Sequence, residues 1–507
     1  MTTNKILSLD ALATRCGALK AQGKRVVLCG GAFDLMHGGH IRHLQRAKQE
    51  GDVLMVIVTG DAYVNKGPGR PVFTEQLRAE SLAALECVDY LAINHAVTAI
   101  DALHKIQPNI YAKGSDYRSH GDDVTGNITR EQEAVEAHGG RIVYTDEITF
   151  SSSNLLNEHF GVFSPETREY LKDLRGKWSD KDMHQMIQSL AGLRVLVVGD
   201  AIVDQYHYTA PLGQTGKGNI LAVRYESEEQ FAGGSIAVAN HLAGFAKQVT
   251  LVTGLGTIDS HEEFIRSKLL ENVEPVFFYM DGAPTVTKRR FVDADLAKFF
   301  EVYFYREDMV PGETARKVCD WLNRQVSDYD IVVVPDFGNG FISATMIEVL
   351  CDRAKFLAVN TQVNSGNRGF HVINRYARAD FVSLNEPEVR LASHNRHDPI
   401  ESVARDVADR VRAKHFAVTR GTKGAIMLDR SKSMVHTVPA LSTKVVDRIG
   451  AGDAFLSLAG LCLGGGLPPE VAAFVASAAA AIDVQIVCNR EPINSVGLFK
   501  YITTLLK

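Results

Sequence analysis

The 507-residue sequence predicts an α/β protein built from two doubly wound domains. Short apolar strands alternate with helical segments between residues 26 and 144, and the alternation resumes at residue 194 and continues to the C-terminus. Strands that alternate with helices form parallel sheets, whose ligands bind at the carboxyl ends of the strands. The chain is longer than one hydrophobic core can usually organise, and its stretch between residues 160 and 193 is polar. We therefore predict domains at 1–160 and 191–507, joined by a helical linker at 161–190.

Charge and cysteine content argue against several classes of protein. The chain carries 55 basic and 60 acidic residues, so a nucleic acid is not an expected partner. The longest apolar run, Val471–Ile482, is too short to cross a bilayer, and we recognise no N-terminal export signal. The 7 cysteines include no CxxC pair, which favours reduced thiols over disulfides or a zinc site. We expect a folded cytoplasmic protein that binds neither membranes nor nucleic acids.

The first domain is predicted to begin with an amphipathic helix that extends to about Lys20. The predicted strands that follow are Val26–Cys29, Val53–Thr59, Tyr90–Ile93, Ile110–Ala112 and Arg141–Tyr144. The predicted helices are Ile41–Lys48, Thr74–Leu85, Ala99–Ile106 and Thr129–Ala137. This alternation is the pattern of a parallel, doubly wound sheet.

A glycine-rich turn joins the first of these strands to its helix and carries two histidines. Gly30, Phe33, His37 and His40 lie in the stretch Val26–His40, where backbone N–H groups and a helix N-terminus converge on one point. Such a convergence binds phosphate, and glycines let a ligand approach the backbone closely. We predict that both imidazoles face one phosphate-binding pocket, and their spacing suits a triphosphate. A zinc site or a helix cap is the alternative, although a lone histidine pair makes a poor metal site.

The pattern Gly-x-Phe-Asp-x-x-His-x-Gly-His resembles the HxGH signature of the nucleotidyltransferase superfamily, in its cytidylyltransferase-like branch. Members of that branch join a nucleotide to a phosphorylated alcohol or sugar. The resemblance implies a Rossmann-like domain with Gly30 and Phe33 beside the nucleotide. It also implies that the histidines are catalytic, because they stabilise charge on the α-phosphate as pyrophosphate leaves.

A basic loop and the helix after it are similar to a further motif of this branch. Lys66 and Arg70 belong to the loop, and Arg78 lies on the helix. The resemblance implies that Lys66 is catalytic and that the two arginines bind the substrate. A solvated loop followed by a helical Glu/Arg pair is the alternative.

Two later segments are similar to nucleotide-binding motifs of the same branch. Lys113 opens a Lys-Gly-x-Asp-Tyr segment at the end of a predicted strand, and Ser151, Ser152 and Ser153 precede a helix. Hydroxyl groups and free N–H groups at a helix start bind anions. The resemblance implies that these four residues bind the nucleotide, and a simple N-cap is the alternative for the serines.

The second domain is predicted to follow two short helices, Thr167–Arg175 and Asp180–Leu190, and to open with the strand Arg194–Asp200. Two β-rich passages, at about 220–230 and 285–305, interrupt its alternation of strands and helices. These passages are the main departure from a plain doubly wound domain.

The most specific stretch of the chain is Asp447–Phe455, where Gly-Ala-Gly begins a helix. The backbone amides of Gly450, Ala451 and Gly452 are predicted to form an anion hole for a nucleotide phosphate. Asp453 follows directly, and an aspartate in that position can take the proton of a hydroxyl that attacks a γ-phosphate. A helix start with an incidental aspartate is the alternative.

This stretch resembles the signature of the PfkB, or ribokinase-like, sugar kinases, and the resemblance extends over residues 194–507. It implies a ribokinase-like domain in which the β-rich passages form a lid that excludes water. It implies substrate binding by Asp204, Gly233, Gly234, Asn240 and Asp453. It implies nucleotide binding by Asn385, Thr419, Gly421 and Gly424, and an indirect role in holding Mg²⁺ for Asn385 and Glu388.

The segment Thr285–Arg290 is similar to the Thr-Lys-x-Arg strand of heptose-phosphate kinases. Guanidinium groups bind phosphate bidentately, so we predict that Lys288 and Arg290 bind an acceptor that is already phosphorylated. A solvated basic edge strand is the alternative. Because lids of ribokinase-like kinases often pair between subunits, we also expect a homodimer through the lid.

Together the two domains resemble the bifunctional heptose-phosphate kinases and heptose 1-phosphate nucleotidyltransferases of lipopolysaccharide-precursor synthesis, in inverted order. The resemblance implies an enzyme of nucleotide-sugar synthesis that phosphorylates a sugar or sugar phosphate and joins a nucleotide to a sugar 1-phosphate. It implies Mg²⁺ at both sites, ATP for the kinase, and ATP or CTP for the transferase. One alternative is a CTP-dependent polyol-phosphate cytidylyltransferase fused to a sugar kinase, and another is a kinase regulated by a nucleotide-sensing domain.

Overall fold

The structure is a computed structural model that describes residues 2–64, 70–114, 127–145, 163–307, 309–367 and 369–506. Contacts divide the chain into two units, Met1–Ser164 with Phe499–Lys507, and Pro165–Leu498. The domain boundaries at residues 160 and 190 stay a prediction. Within these described ranges, six short 3-10 helices accompany the elements below, at Thr2–Lys5, Asp61–Tyr63, Ser189–Gly192, Val326–Asp328, Ile373–Arg375 and Gly421–Lys423.

The first unit is built on one parallel sheet. Its elements are β1 (Ile6–Leu7), α1 (Leu9–Ala21), β2 (Val26–Gly31), α2 (Gly38–Gln49), β3 (Val53–Thr59), α3 (Glu75–Ala83), β4 (Tyr90–Asn94), α4 (Ile100–Ile106), β5 (Ile110–Gly114), α5 (Asn127–Glu136) and β6 (Arg141–Thr145). The strands pair in the order β1-β4-β3-β2-β5-β6, and these pairings are parallel. The strand β1 was not predicted, because two apolar residues before an amphipathic helix do not stand out as a strand.

The strand β2 is buried on both faces and leads to the glycine-rich turn. Val26 and Leu28 belong to one hydrophobic cluster, whereas Val27 and Cys29 belong to another. Alternate side chains of a strand point to opposite faces, so this continuous apolar run packs against helices on both sides. Because β2 lies between β3 and β5, its carboxyl end opens at the point where strand order reverses, which is where doubly wound folds bind ligands.

The second unit contains the remaining elements. They are α6 (Pro165–Lys177), α7 (Asp180–Gln188), β7 (Arg194–Val198), β8 (Ala201–Gln214), β9 (Leu221–Gly234), α8 (Ser235–Ala243), β10 (Gln248–Ile258), α9 (Glu262–Lys268), β11 (Val273–Pro284), β12 (Val286–Val292), β13 (Lys298–Phe304), α10 (Gly312–Gln325), β14 (Ile331–Asp336), α11 (Ala344–Arg353), β15 (Leu357–Thr361), β16 (Phe381–Asn385), α12 (Glu386–Ser393), α13 (Ile400–Arg410), β17 (His415–Thr419), β18 (Ala425–Asp429), β19 (Met434–Val438), α14 (Ala451–Gly464) and α15 (Pro469–Asp483). A last helix, α16 (Ser495–Leu505), spans the division between the units.

Two sheets organise the second unit. The main sheet has nine strands in the order β11-β10-β7-β14-β15-β16-β17-β18-β19, parallel from β11 to β17 and antiparallel at the β18 and β19 edge. A separate four-stranded sheet, the lid sheet, pairs in the order β13-β12-β8-β9. The predicted β-rich passages lie mostly in β9, β12 and β13, so the prediction of a doubly wound domain with a β lid is confirmed.

The apolar run Val471–Ile482 lies within α15, and most of its side chains are buried. Near it, the ring of Tyr170 on α6 lies 6.5 Å from the ring of Phe474, and Lys177 pairs with Glu470 at 2.6 Å. The two predicted linker helices therefore pack within the second unit. In the part of the chain that the structure describes, no helix combines the length and the apolar character needed to cross a bilayer.

Candidate active sites

The carboxyl ends of the parallel strands gather polar side chains at one edge of the main sheet. Asp200 lies just beyond β7, Asp336 ends β14, and Asn385 and Thr419 are register partners at the ends of β16 and β17. Asp200 is buried and accepts hydrogen bonds from two backbone N–H groups, those of residues 337 and 341. Burial, with repulsion from Asp336, raises its pKa to about 6.

The lid sheet contributes a second set of charged side chains on one of its faces. Asp204 lies opposite Lys288 in the register of β8 and β12, and Tyr206 lies opposite Arg290. Arg290 in turn lies opposite Glu301 of β13. Because alternate residues of a strand share a face, all five side chains lie on the same side of the lid sheet.

Arg290 is held by two carboxylates. Its Nη1 donates to Asp204 Oδ1, and its Nε donates to Glu301 Oε1 at 3.1 Å. The residue is 5% exposed. Its guanidinium is therefore neutralised by protein carboxylates, with which an acceptor phosphate, the predicted ligand, would have to compete. These ion pairs were not predicted, because the acidic partners lie on other strands.

Lys288 occupies a different environment from Arg290. Its Nζ lies 5.5 Å from the ring centroid of Tyr303 and 6.0 Å from that of Phe337, and the residue is 7% exposed. Burial lowers the pKa of this ammonium, whereas the neighbouring Asp204 acts in the opposite direction. Lys288 is thus a buried cation next to the carboxylates of the site.

The glycine pair at the end of β9 makes room for these carboxylates. A Cβ atom at Gly233 would overlap Asp204 Oδ2, and one at Gly234, whose φ is 61°, would lie 2.5 Å from the carbonyl oxygen of Asp200. Asn240 lies further along α8, where its amide donates to the carbonyl of residue 268 and accepts from the N–H of residue 270. The two glycines therefore lie at the site. The side chain of Asn240 instead bonds to the backbone of residues 268 and 270.

The helix α14 begins at the predicted anion hole. Gly450 has a φ of 105°, and a Cβ there would lie 2.5 Å from Asn489 Oδ1 and 2.6 Å from Asp483 Oδ2. Only glycine fits that conformation and that space. The first helical hydrogen bonds to the Gly450 carbonyl come from the amides of residues 453 and 454. The amides of Ala451 and Gly452 precede them and point out of the helix end, where they suit an anion.

Asp453 lies in the first turn of α14, directly after these amides. Burial raises its pKa to about 7, Asp204 and Glu388 add repulsion, and Lys288 acts in the opposite direction. A carboxyl with a pKa near neutrality is suited to accept a proton near neutral pH. The charge interactions with Asp204 and Lys288 also place Asp453 near the residues of the lid sheet.

The predicted nucleotide and magnesium residues surround the start of α12. Asn385 accepts from the Glu388 N–H, and Glu388 accepts from the Asn385 N–H, each at 2.9 Å. Glu388 also accepts from the Val363 N–H, and burial raises its pKa to about 7. Both of its oxygens are thus used by the protein, and the described residues contain no group of three side chains that could hold a metal. Asn385 and Glu388 fit a role outside the direct coordination shell of Mg²⁺.

The loop after β17 carries two glycines in left-handed conformations. Gly421 has a φ of 57° and Gly424 has a φ of 74°, and a Cβ at Gly424 would overlap the carbonyl oxygen of Val438. The Arg420 N–H donates to the Gly424 carbonyl at 2.8 Å, which closes the loop next to Thr419. Thr419 and both glycines therefore lie at the same sheet edge as Asn385, as nucleotide binding requires.

In the first unit, His37 and His40 lie at the start of α2. His37 caps the helix, since its Nδ1 accepts from the Gly39 N–H at 3.1 Å. The two imidazole centroids are 4.1 Å apart, and the ring of Phe33 lies 5.8 Å from that of His40. The histidines therefore face one another across the helix N-terminus, which is a suitable place for phosphate.

Tyr111 and Lys113 belong to β5, which pairs with β2 and lies next to its carboxyl end. A Cβ at Gly30 would lie 2.9 Å from the Tyr111 hydroxyl, so glycine is needed there. The ammonium of Lys113 lies 5.0 Å from the ring centroid of Tyr111 and pairs with Glu131 of α5 at 2.7 Å. A nucleotide phosphate would have to compete with Glu131 for this lysine. The ion pair with Glu131 was not predicted from the sequence.

Arg78 is 1% exposed, and its guanidinium connects several loops by hydrogen bonds. It donates to the carbonyls of Phe73, Ala32 and Thr59 at 2.9, 2.5 and 2.8 Å, and to Asp61 Oδ1 at 2.6 Å. These acceptors occupy its guanidinium, so any influence on a substrate passes through the loops that it holds.

Arg70 lies near the carboxylate of Asp34, which accepts from the backbone N–H groups of Val72 and Phe73. Burial lowers the pKa of Arg70, and Asp34 opposes that shift. Lys66, Ser151, Ser152 and Ser153 lie outside the described residues, so their predicted roles stay predictions.

Two family models match the chain, one over each domain. Residues 193–492 match the family model described as pfkB family carbohydrate kinase, which covers more than half of the chain. The chain belongs to the pfkB family of carbohydrate kinases. Residues 28–158 match a second model, described as cytidylyltransferase-like, so the predicted order of the two domains is confirmed.

The N-terminal part of this chain is similar to proteins named bifunctional protein HldE. The protein from Pelobacter propionicus is 43% identical over 141 residues, which is 27% of this chain and 28% of the relative. The protein from Geobacter metallireducens is 38% identical over 168 residues, 32% of each chain. These matches lie in the N-terminal part, and the chain spans only about a third of the length of the curated relatives it matches.

Among solved structures, phosphofructokinase-2 from Escherichia coli in complex with fructose-6-phosphate is similar to the pfkB domain. It aligns with a TM-score of 0.50 at 15% sequence identity and covers 62% of this chain and 100% of that chain. At this identity the likeness shows the fold alone.

Proposed function

We propose that the protein is a bifunctional enzyme of nucleotide-sugar synthesis, in which the pfkB domain phosphorylates a sugar phosphate and the cytidylyltransferase-like domain joins a nucleotide to a sugar 1-phosphate. The observation that carries the kinase assignment is Asp453, whose pKa is raised to about 7 directly after the amides of Ala451 and Gly452. A base next to an anion hole is the arrangement that phosphoryl transfer to an alcohol needs.

The kinase reaction would use these residues as follows. Asp453 accepts the proton of the acceptor hydroxyl while that oxygen attacks the γ-phosphorus of ATP, the bond from the γ-phosphorus to the bridging oxygen breaks, and ADP leaves. The anion-hole amides stabilise the charge on the transferred group, and the lid sheet excludes water. Mg²⁺ bound with ATP would neutralise phosphate charge, with Asn385 and Glu388 holding its water shell. Lys288 adds the positive charge that favours an anionic acceptor.

The transferase reaction would rest on the two histidines. The hydroxyl or phosphate oxygen of the acceptor attacks the α-phosphorus of a nucleoside triphosphate, and pyrophosphate leaves. His37 and His40, 4.1 Å apart at the N-terminus of α2, are placed to stabilise the charge that grows on the phosphate oxygens. The helix N-terminus adds its own favourable field. ATP or CTP would serve as the donor.

A heptose phosphate is our first choice of kinase substrate, because the Thr285–Arg290 segment is similar to heptose-phosphate kinases. A panel assay tests this choice. The purified protein is offered heptose 7-phosphate, mannose 6-phosphate and the free sugars with ATP, and ADP release is followed. Sugar 1-phosphates with ATP or CTP are followed by pyrophosphate release. Absence of turnover with every kinase acceptor would contradict the proposed kinase activity.

We also propose a homodimer through the outer face of the lid sheet, which is the face opposite Asp204 and Arg290. That face carries an aromatic row across all four strands, made of Tyr225, His207, Phe291 and Phe300, with centroid separations of 6.0, 5.0 and 4.5 Å. Tyr225 is 56% exposed and Phe300 is 47% exposed. An exposed apolar surface of this kind favours association.

Light scattering after size-exclusion chromatography tests the dimer. Phe300→Asp should halve the measured mass, because it places a charge in the aromatic row. Met434→Asp is the matched control, since Met434 is 48% exposed on β19 of the main sheet. A wild-type mass equal to one chain would contradict the proposal.

A further inference from the structure

Asp447 is a buried carboxylate at the entrance to the anion-hole loop, and no separate role was predicted for it. It lies three residues before Gly450 and is 6% exposed. Its oxygens accept from the backbone N–H groups of Arg448 at 2.7 Å, Ile449 at 3.3 Å and Cys488 at 3.2 Å. The course of the backbone that leads into the anion hole therefore depends on the position of this one carboxylate.

The same carboxylate is bound by two residues of the lid sheet. The Tyr206 hydroxyl, on β8, donates to Asp447 Oδ2 at 2.6 Å. The ammonium of Lys298, the first residue of β13, lies 3.6 Å from Oδ1. Asp447 thus joins the lid sheet to the loop of the anion hole, although these segments are far apart in sequence.

Tyr206 also contacts the acceptor side of the kinase site. The guanidinium of Arg290 lies 5.7 Å from the centroid of its ring, and Arg290 is paired with Asp204. Tyr206 is fully buried and packs edge-on against Phe231, at a centroid separation of 5.2 Å. A continuous set of contacts therefore runs from Asp204 through Arg290 and Tyr206 to Asp447.

We propose that Tyr206 and Asp447 are positioning residues that couple acceptor binding to the formation of the anion hole; this inference rests on the proposed kinase activity. When the lid sheet moves away, Asp447 loses both lid contacts, and a buried carboxylate with fewer partners shifts toward new ones. The loop that it orders then shifts with it. An acceptor that holds the lid sheet in place therefore aligns the amides for the γ-phosphate.

Such coupling is reciprocal, so each ligand increases the affinity for the other by the same factor. It also prevents transfer to water, because the anion hole is complete only when an acceptor is present. Neither Tyr206 nor Asp447 needs to touch a substrate for this to occur.

Isothermal titration calorimetry of the full chain tests the coupling. The affinity for the magnesium complex of AMP-PNP, a non-hydrolysable ATP analogue, is measured with and without saturating heptose 7-phosphate, and in parallel with mannose 6-phosphate. In the wild type the sugar phosphate should tighten AMP-PNP binding by at least about fivefold. Tyr206→Phe, which removes only the hydroxyl, should reduce this factor to less than about twofold.

Tyr208→Phe is the matched control. Tyr208 lies on the same strand, and its hydroxyl donates to Glu229 at 3.2 Å and not to Asp447. This variant should keep the wild-type coupling factor. Lys298→Met, which removes the second lid contact, should weaken the coupling as Tyr206→Phe does, and thermal unfolding should show that each variant is folded.

Two results overturn the inference in distinguishable ways. If the wild type binds both ligands without mutual effect, or if Tyr206→Phe and Lys298→Met couple as strongly as the wild type, Asp447 does not link the two sides. If the wild type binds neither AMP-PNP nor any sugar phosphate, the proposed kinase activity itself is contradicted, and the inference falls with it.

Discussion

At the residue scale, the chemistry of the pfkB domain depends on how its buried charges are balanced. Asp453 and Asp200 have raised pKa values because they are buried and lie near other carboxylates. Lys288 opposes the shift at Asp453, whereas Arg290 is already neutralised by Asp204 and Glu301. Lys288 therefore lowers the pKa of the proposed base, and Arg290 stabilises the lid sheet.

The pH profile of the kinase follows from this balance. Asp453 must be deprotonated to act as a base, so kcat/KM should fall as the pH drops below about 7. Lys288→Met removes a positive charge that lowers the pKa of Asp453, so the acid limb should move to higher pH. Initial rates measured between pH 5 and 9 by ADP release check both statements.

Arg289→Met is the control for this profile. Arg289 precedes Arg290 on β12 and points to the opposite face of the lid sheet, where its Nε donates to Gln205. Its profile should match that of the wild type. An acid limb that stays in place in Lys288→Met would contradict the assignment of Asp453 as the titrating group.

The histidine pair of the first unit allows a similarly direct test. His37→Asn keeps a side chain that can cap α2 and removes the imidazole, so nucleotidyl transfer should fall by about 10²–10³ with little loss of stability. His37→Ala should lose the cap as well, at a cost of about 1 kcal/mol in the free energy of unfolding. Pyrophosphate release and chemical denaturation measure the two effects. Stoichiometric zinc that is lost in both variants would favour the metal alternative.

At the scale of elements, the alternation of strands and helices was predicted well, and the register of the lid sheet was not. Apart from β1, the strands of the first unit were predicted within a few residues, because continuous apolar runs between helices identify buried parallel strands. The partners of Arg290 depend on which residues of β8 and β13 lie opposite it. A single sequence does not encode that pairing in any local pattern, and a register shift of one residue would reverse the faces.

The register of the lid sheet predicts a structural role for Arg290. Arg290→Ala leaves Asp204 and Glu301 without their cation, so the free energy of unfolding should fall by about 3–5 kcal/mol. Arg289→Ala, on the opposite face of β12, should cost less than about 1 kcal/mol. Urea denaturation of both variants makes the comparison. Equal stability in the two would mean that the buried ion pairs contribute nothing, and would restore Arg290 as a candidate for binding phosphate.

At the scale of the whole molecule, one chain carries two candidate sites of different chemistry, each with its own sheet and its own core. The glycine positions have the clearest structural reason in both sites. A Cβ at Gly30 would crowd the Tyr111 hydroxyl, one at Gly233 would overlap Asp204, and one at Gly450 would crowd the side chains of residues 483 and 489. The polar partners Glu131 and Asp447 were not predicted, because an isolated acidic residue carries no local signature of the contact that it makes. The sequence motifs therefore identified the candidate sites, whose roles stay predictions, and the structure adds the residues that position them.

The central claim is that a single chain performs both reactions at separate sites. The most direct test measures ADP release and pyrophosphate release in parallel for the wild type, Asp453→Asn and His37→Asn. We expect the wild type to show both activities. Asp453→Asn should lose about 10²–10⁴ in kinase turnover with its nucleotidyl transfer unchanged, and His37→Asn should show the reverse pattern. A wild type with only one activity, or a variant that loses both together while still folded, would contradict it.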